Sequence, residues 1–259
     1  MRAMGIAFGL AAQLLFLATV GRLFHFLCGN MGETSPHVVP VDVALALQFA
    51  VPHSLLLLPS VRKAVTAVVR SEFYGSLYCV ATCVSLWLVF SFWRGSTTTL
   101  WLLTGGPAAT VRAAFIGSWV ALFYSISLTG FGYQTGWTQW WHWHRRRPLP
   151  RRGFAQHGAY RRLRHPVYLS FIGLIWFTPR MTLDHAILTG LWTVYIFVGS
   201  MLKDRRLAYY LGDAYRHYAS RVPGYPGMWL GPLGRWPAPQ GRGISAAMLP
   251  AVDEPRKAA

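Results

Sequence analysis

Residues 160–204 read YRRLRHPVYLSFIGLIWFTPRMTLDHAILTGLWTVYIFVGSMLKD. Three arginines, a histidine and a proline crowd the start, and an apolar piece, 167–177, follows. A helix that crosses a bilayer needs about 20 apolar residues, so this piece is too short to span alone. Pro179 stops it, Thr182 stands where a cap for the next helix belongs, and residues 183–202 are of full length. The stretch predicts two antiparallel membrane helices closed by a tight turn, the first tilted or partly inserted. The densest positive charge then lies at the mouth of a helical hairpin.

Four segments upstream, 4–27, 38–58, 73–93 and 111–133, are apolar and of spanning length. The chain is 53% hydrophobic and only 13% charged, against about 25% charged in soluble domains. These facts predict an all-α, polytopic integral membrane helical bundle: four spans (1–133), a basic loop (134–166), the hairpin with an amphipathic helix (167–223), and a Gly/Pro-rich tail (224–259). The N-terminus, MRAMGIAFGLAAQLLFLATVGRLF, imitates a signal peptide but lacks a small-x-small cleavage site, so it reads as an uncleaved first span. The 25 Lys and Arg outnumber 8 Asp and Glu. A nucleic-acid binder carries such charge on a polar framework; here it sits between apolar runs, so no nucleic-acid partner is read. The loop 28–37 has no Lys or Arg, whereas the second loop has Arg62, Lys63 and Arg70 and the fourth has eight Arg from Arg145 to Arg164. The positive-inside bias therefore places the N-terminus and the basic loop on the cytoplasmic side.

From Lys203 the chain turns amphipathic, with Leu207, Tyr210, Leu211, Tyr215 and Tyr218 at helical spacing. A break is expected near Gly212, an end before Pro223, and disorder in the last fifteen residues. Cys28, Cys79 and Cys83 show no metal or redox spacing, and WTQWWHWHRRR (137–147) reads as an interfacial anchor rather than a metal site. GFGYQTG (130–136) follows a span, not a strand, so it supports no dinucleotide fold.

Several residues could carry chemistry. Pro166 suits a first helical position, which sets Arg164 and His165 at a helix N-terminus that favours an anion; the alternative is a loop held beside anionic lipid. Asp204 is a rare acid among cations, open either to a ligand's ammonium or hydroxyls or to a local ion pair. Tyr160, Tyr168, Tyr209, Tyr210, Tyr215 and Tyr218 suit an interfacial belt or an aromatic cage around a cation. His53 and Ser54 follow Pro52 at membrane depth, where polar groups are functional candidates or hydrogen bonds within the bundle.

The ordered set Tyr160, Arg164-His165-Pro166-x-Tyr168, short helix, turn, helix, acid, Leu207, Gly212, Tyr215, Tyr218, Val222-Pro223 and Pro226 resembles the membrane methyltransferases that include isoprenylcysteine carboxyl methyltransferase and the phospholipid methyltransferases. Trp176, Thr178-Pro179, Met181-Thr182, His185 and Tyr195 are similar to the nurim-like branch, which contains the bacterial methanethiol S-methyltransferases. VPHSLLLLP (51–59) looks like a divergent form of that branch's Gln-His-Ser segment. The resemblance implies S-adenosylmethionine as cofactor, bound by Tyr160, Arg164, His165, Pro166, Tyr168, Asp204, Tyr215 and Tyr218. It implies Arg164, His165 and His53 as catalytic residues, a small thiol or other apolar acceptor entering from the lipid, and a bacterial inner membrane. Arg164 would meet the cofactor's carboxylate, Asp204 its ammonium or ribose, and tyrosine faces its sulfonium; Arg164 or His165 would favour a thiolate. Two departures stand out: Lys203-Asp204 replaces two adjacent glutamates, and Pro52 replaces Gln. Rival readings are an NADPH-dependent reductase of the sterol-reductase kind, against which YYLGDAYRHY lacks the Lys-Tyr-Gly-x-x-Trp run, and a non-catalytic nurim-like protein, which Lys203 favours.

Overall fold

The computed structural model describes residues 2–29, 33–34, 38–150, 154 and 156–238. Helix α1 (Arg2–Leu27) is followed by a two-residue strand, β1 (Glu33–Thr34), then α2 (Val38–Leu55) and α3 (Pro59–Val68). Pro59 opens α3 at its first turn, and the axis bends by 76° between α2 and α3. α3 carries Arg62 and Lys63 and buries no residue. Next come α4 (Tyr74–Phe92), β2 (Arg94–Gly95), β3 (Thr99–Leu102) and α5 (Gly105–Ser127). α5 begins earlier and ends earlier than the 111–133 expected. Pro107 fits a first turn, where no N–H partner is needed, and Gly130 at φ 84° breaks the helix beyond Ser127.

α6 (Phe131–Thr135) and α7 (Trp137–Arg145) occupy the first part of the expected basic loop. The reason is an aromatic face that sequence reading took for an anchor. Trp137, Trp140, Trp141 and His144 stack with one another, and buried Trp140 donates its indole N–H to the Gly5 carbonyl at 2.9 Å. At Gly136, φ is 77° and a Cβ would stand 2.2 Å from the Ser76 nitrogen. Only glycine allows α7 to approach the start of α4 so closely.

The hairpin is α8 (Pro166–Trp176), a turn containing β4 (Arg180–Thr182), and α9 (Leu183–Leu211). Thr182 holds the N-cap position of α9 without a side-chain cap bond. α9 runs unbroken for 29 residues, so the span and the first half of the amphipathic segment are one helix rather than two elements divided at Lys203. Gly212, at φ 58°, ends it, and α10 (Asp213–Arg221) follows. Residues 222–236 fold back as a clasp: Tyr225 N donates to Leu233 O at 3.2 Å and Trp236 N to Ala219 O at 3.0 Å. The expected disorder of the last fifteen residues lies outside the described residues.

α1, α5, α9 and the helical run Ser71–Phe92 are long and apolar enough to cross a membrane, and the α2–α3 pair makes up to five spans. Their outer faces expose Leu14, Leu17, Val120 and Val194, so the protein is an integral membrane protein whose surface meets lipid. The interior core joins α1, α2, α4, α5, α8 and α9 through Phe26, Ala46, Val89, Phe115, Leu174 and Leu188. Parallel β1–β2 and antiparallel β3–β4 gather three connections on one face. There buried Asp42 accepts the Arg94 N–H and buried Asp184 accepts the Ser96 N–H. The other face holds α3, α7, the hairpin mouth, α10 and most of the arginines.

Candidate active site

Pro166 begins α8 and leaves His165 at the N-cap and Arg164 just before it. α9 returns to the same level and presents Asp204. All three are within 2% of full burial. Arg164 grips one carboxylate oxygen, Oδ2, through Nε at 3.0 Å and Nη2 at 2.9 Å. His165 Nε2 donates to that oxygen at 3.1 Å. The Tyr215 hydroxyl donates to the other oxygen, Oδ1. A buried charge needs such saturation, because an unpaired one costs several kcal/mol.

The guanidinium of Arg164 also closes the clasp. Nη1 donates to the carbonyls of Ala219 (3.1 Å), Val222 (2.8 Å) and Gly234 (2.7 Å), and Nη2 to that of Pro232 (3.1 Å). Its backbone N–H reaches Pro223 O at 2.9 Å. Trp236 lies 5.7 Å from the guanidinium carbon. Every donor nitrogen of this side chain is thus engaged by protein, so the expected direct grip of Arg164 on a ligand carboxylate is not available in this arrangement. The carboxylate of Asp204 is engaged in the same way.

Tyr218 donates its hydroxyl to the Tyr160 carbonyl at 2.6 Å, and Phe154 packs edge-on against Tyr215 and Tyr218. Burial pushes the phenols of Tyr215 and Tyr218 well above their ordinary range, so both stay neutral donors. The His165 ring lies between Tyr168 at 5.5 Å and Tyr225 at 5.4 Å. Burial holds its pKa below the usual histidine range, with the Asp204 bond pulling the other way; we take burial to prevail, because Arg164 already neutralises the carboxylate. Neutral His165 with its proton on Nε2 has Nδ1 as an acceptor, and Nδ1 is buried with no partner among the described residues. Lys203 places its ammonium 5.2 Å from the Tyr168 ring centroid.

His53 belongs to a second cluster, between α2, α4 and α9. The Tyr78 hydroxyl lies 2.8 Å from Nε2, Phe49 stacks on the imidazole at 5.3 Å, and Ser54 Oγ meets the Tyr195 hydroxyl at 3.1 Å. Tyr195 and Asp204 share α9 and stand nine residues apart, about 14 Å along its axis. The mouth thus gathers Tyr160, Arg164, His165, Pro166, Tyr168, Asp204, Tyr215 and Tyr218, and His53 stands apart from them. Sequence reading missed Tyr78, Phe49, Tyr225 and Trp236. The first two lie in apolar runs with no local signal, whereas the aromatic content of 225–236 offered a weak one.

These features define a class: a polytopic helical membrane protein whose buried polar node closes the mouth of a half-length hairpin. Comparison with known proteins narrows it. The chain is 31% identical over 232 residues to methanethiol S-methyltransferase 1 of Bradyrhizobium diazoefficiens, covering 83% of this chain and 79% of that one. It is 30% identical over 237 residues to methanethiol S-methyltransferase of Mycobacterium tuberculosis, covering 85% and 95%. Nurim of Xenopus laevis is 23% identical over 224 residues. No family model matches the chain, and no solved structure matches it significantly. The chain belongs to the methanethiol S-methyltransferase family.

Proposed function

We propose that this protein is an S-adenosylmethionine-dependent methyltransferase that methylates a small thiol, methanethiol giving dimethyl sulfide, at the basic face of a bacterial inner membrane. That face is taken as cytoplasmic from its arginine excess. The observation that carries the reading is the extent of the family match. An alignment covering 83% of 259 residues takes in His53, the hairpin mouth and Asp204 wherever it begins.

The residues at the mouth fit the cofactor. The orphaned buried acceptor His165 Nδ1 suits an ammonium or hydroxyl, and the faces of Tyr168 and Tyr225 beside it suit a cation. Arg164 is a positioning residue here: it fixes Asp204 and the clasp. When bound, S-adenosylmethionine supplies an electrophilic methyl group on a sulfonium centre. The acceptor sulfur must arrive as thiolate. His53, its ring held by Tyr78 and Phe49, would take the thiol proton on an imidazole nitrogen for an acceptor lying between its cluster and the mouth, and the bound cofactor would supply the methyl group and leave as the neutral thioether. The lipid-facing helices let an apolar thiol enter from the side, and the low-dielectric surroundings exclude water.

The test is labelled-methyl transfer from S-adenosylmethionine in membranes, with methanethiol, a prenylcysteine and phospholipids offered in parallel. Labelled dimethyl sulfide is expected, and His53→Gln should lower the rate by about 100-fold or more without changing insertion. Transfer to none of the acceptors would overturn the reading in favour of a non-catalytic protein. Binding heat with NADPH and none with S-adenosylmethionine would favour a reductase.

A further inference from the structure

On the basic face, away from the node, a cleft of about 760 Å³ is lined by Tyr124, Gly158, Ala159, Arg161, Arg162 and Leu163. Its size is that of a ligand site. The segment 158–163 leads into α8, and its side chains divide between the interior and the surface. Tyr160 and Arg164 turn inward and are buried, whereas Arg161 and Arg162 are exposed. Neither of these two guanidinium groups has a hydrogen bond, ion pair or ring contact with any described residue.

The cleft has a defined depth. Tyr124 is half exposed and lies three residues before Ser127, the last residue of α5. That is one turn from the end of a membrane helix, where headgroups begin. Below the arginines the wall is apolar: Leu163 lines it, and Leu128 packs where a Gly158 side chain would otherwise stand. Two unneutralised guanidinium groups above an apolar wall match a phosphate above an acyl chain. Arginine's planar fork suits phosphate oxygens.

We propose that this cleft binds an anionic phospholipid, with Arg161 and Arg162 on its phosphate and Tyr124 and Leu163 along its glycerol and upper acyl chain. A free phosphate shares the headgroup chemistry but makes no use of the apolar wall. The proposal is independent of the methyltransferase reading.

The test is native mass spectrometry of the full chain released from mixed micelles holding equal phosphatidylglycerol and phosphatidylcholine. The wild type should retain phosphatidylglycerol selectively. Arg161→Ala with Arg162→Ala should cut that selectivity by about fivefold per arginine removed. Lys63→Ala with Arg147→Ala removes the same charge from exposed positions on the same face and should leave it within about twofold. Thermal unfolding checks that both double variants fold. Equal retention by all three proteins, or equal loss in both variants, would overturn the site. Displacement of the lipid by millimolar inorganic phosphate would overturn the lipid assignment in favour of a soluble anion.

Discussion

Replacing Arg164 by alanine should open the clasp before it harms the bundle. The variant strands Asp204, which is fully buried, with only His165 and Tyr215 as partners. It also removes the shared donor from four carbonyls between Ala219 and Gly234. Breaking a buried ion pair from one side costs about 3–5 kcal/mol. Water can enter once the clasp lifts, so the stranded carbonyls add little beyond that. At about 1.4 kcal/mol per decade, the clasp's opening equilibrium should rise roughly a hundred- to few-thousand-fold. Hydrogen exchange in detergent micelles reads this directly at the Tyr225 and Trp236 amides, which donate across the clasp. Amides in α4 and α5 should hardly change. Asp204→Asn separates the parts: it removes the ion pair but leaves Arg164 its carbonyl partners, so the clasp should stay far better protected than in Arg164→Ala. Clasp protection within about threefold of wild type in Arg164→Ala, at an energy cost well under 1 kcal/mol, would refute the placing of Arg164 as the clasp's anchor.

Tyr218→Phe deletes one buried hydroxyl and its hydrogen bond to the Tyr160 carbonyl, which should cost about 0.5–1.5 kcal/mol in reversible unfolding by urea or heat in micelles. His165 is held neutral by burial, so its folded pKa lies below its unfolded value of about 6.5. The unfolded chain binds the proton more readily in that window, so its contribution is full above about pH 6.5 and is lost as pH falls below it. The melting temperature should drop on acidification through that window, and His165→Gln should flatten the slope there. Gly136→Ala should destabilise by about 1–3 kcal/mol from its left-handed backbone alone, and more from the clash with Ser76; an unchanged melting point would contradict the docking of α7 on α4.

The hairpin was legible because its signals are local. Pro166 starts a helix, Pro179 sits in the turn that ends it, and the run between is too short to cross. The break at Gly212 was equally local. What escaped reading was long-range. Trp140 looked like an interfacial belt residue because nothing near it in sequence names the Gly5 carbonyl it serves. Lys203 looked like the start of a new element because charge marks an interface, yet charge alone does not end a helix, and α9 continues to Leu211. The roles of Arg164 and Asp204 were the hardest to foresee. Their residue types pointed to a ligand, but four of Arg164's partners are backbone carbonyls. Every residue carries a carbonyl, so no pattern in the sequence announces which ones will converge.

α9 also has a mechanical meaning. It carries Asp184 under the β-paired turns of one face and Asp204 in the node of the other, twenty residues and about 30 Å apart along one stiff rod. That distance is the thickness of the hydrocarbon layer. An axial shift at one end therefore displaces the other by a similar amount, and a reporter dye on the short strand at Thr99–Leu102 would register events at the mouth without touching it.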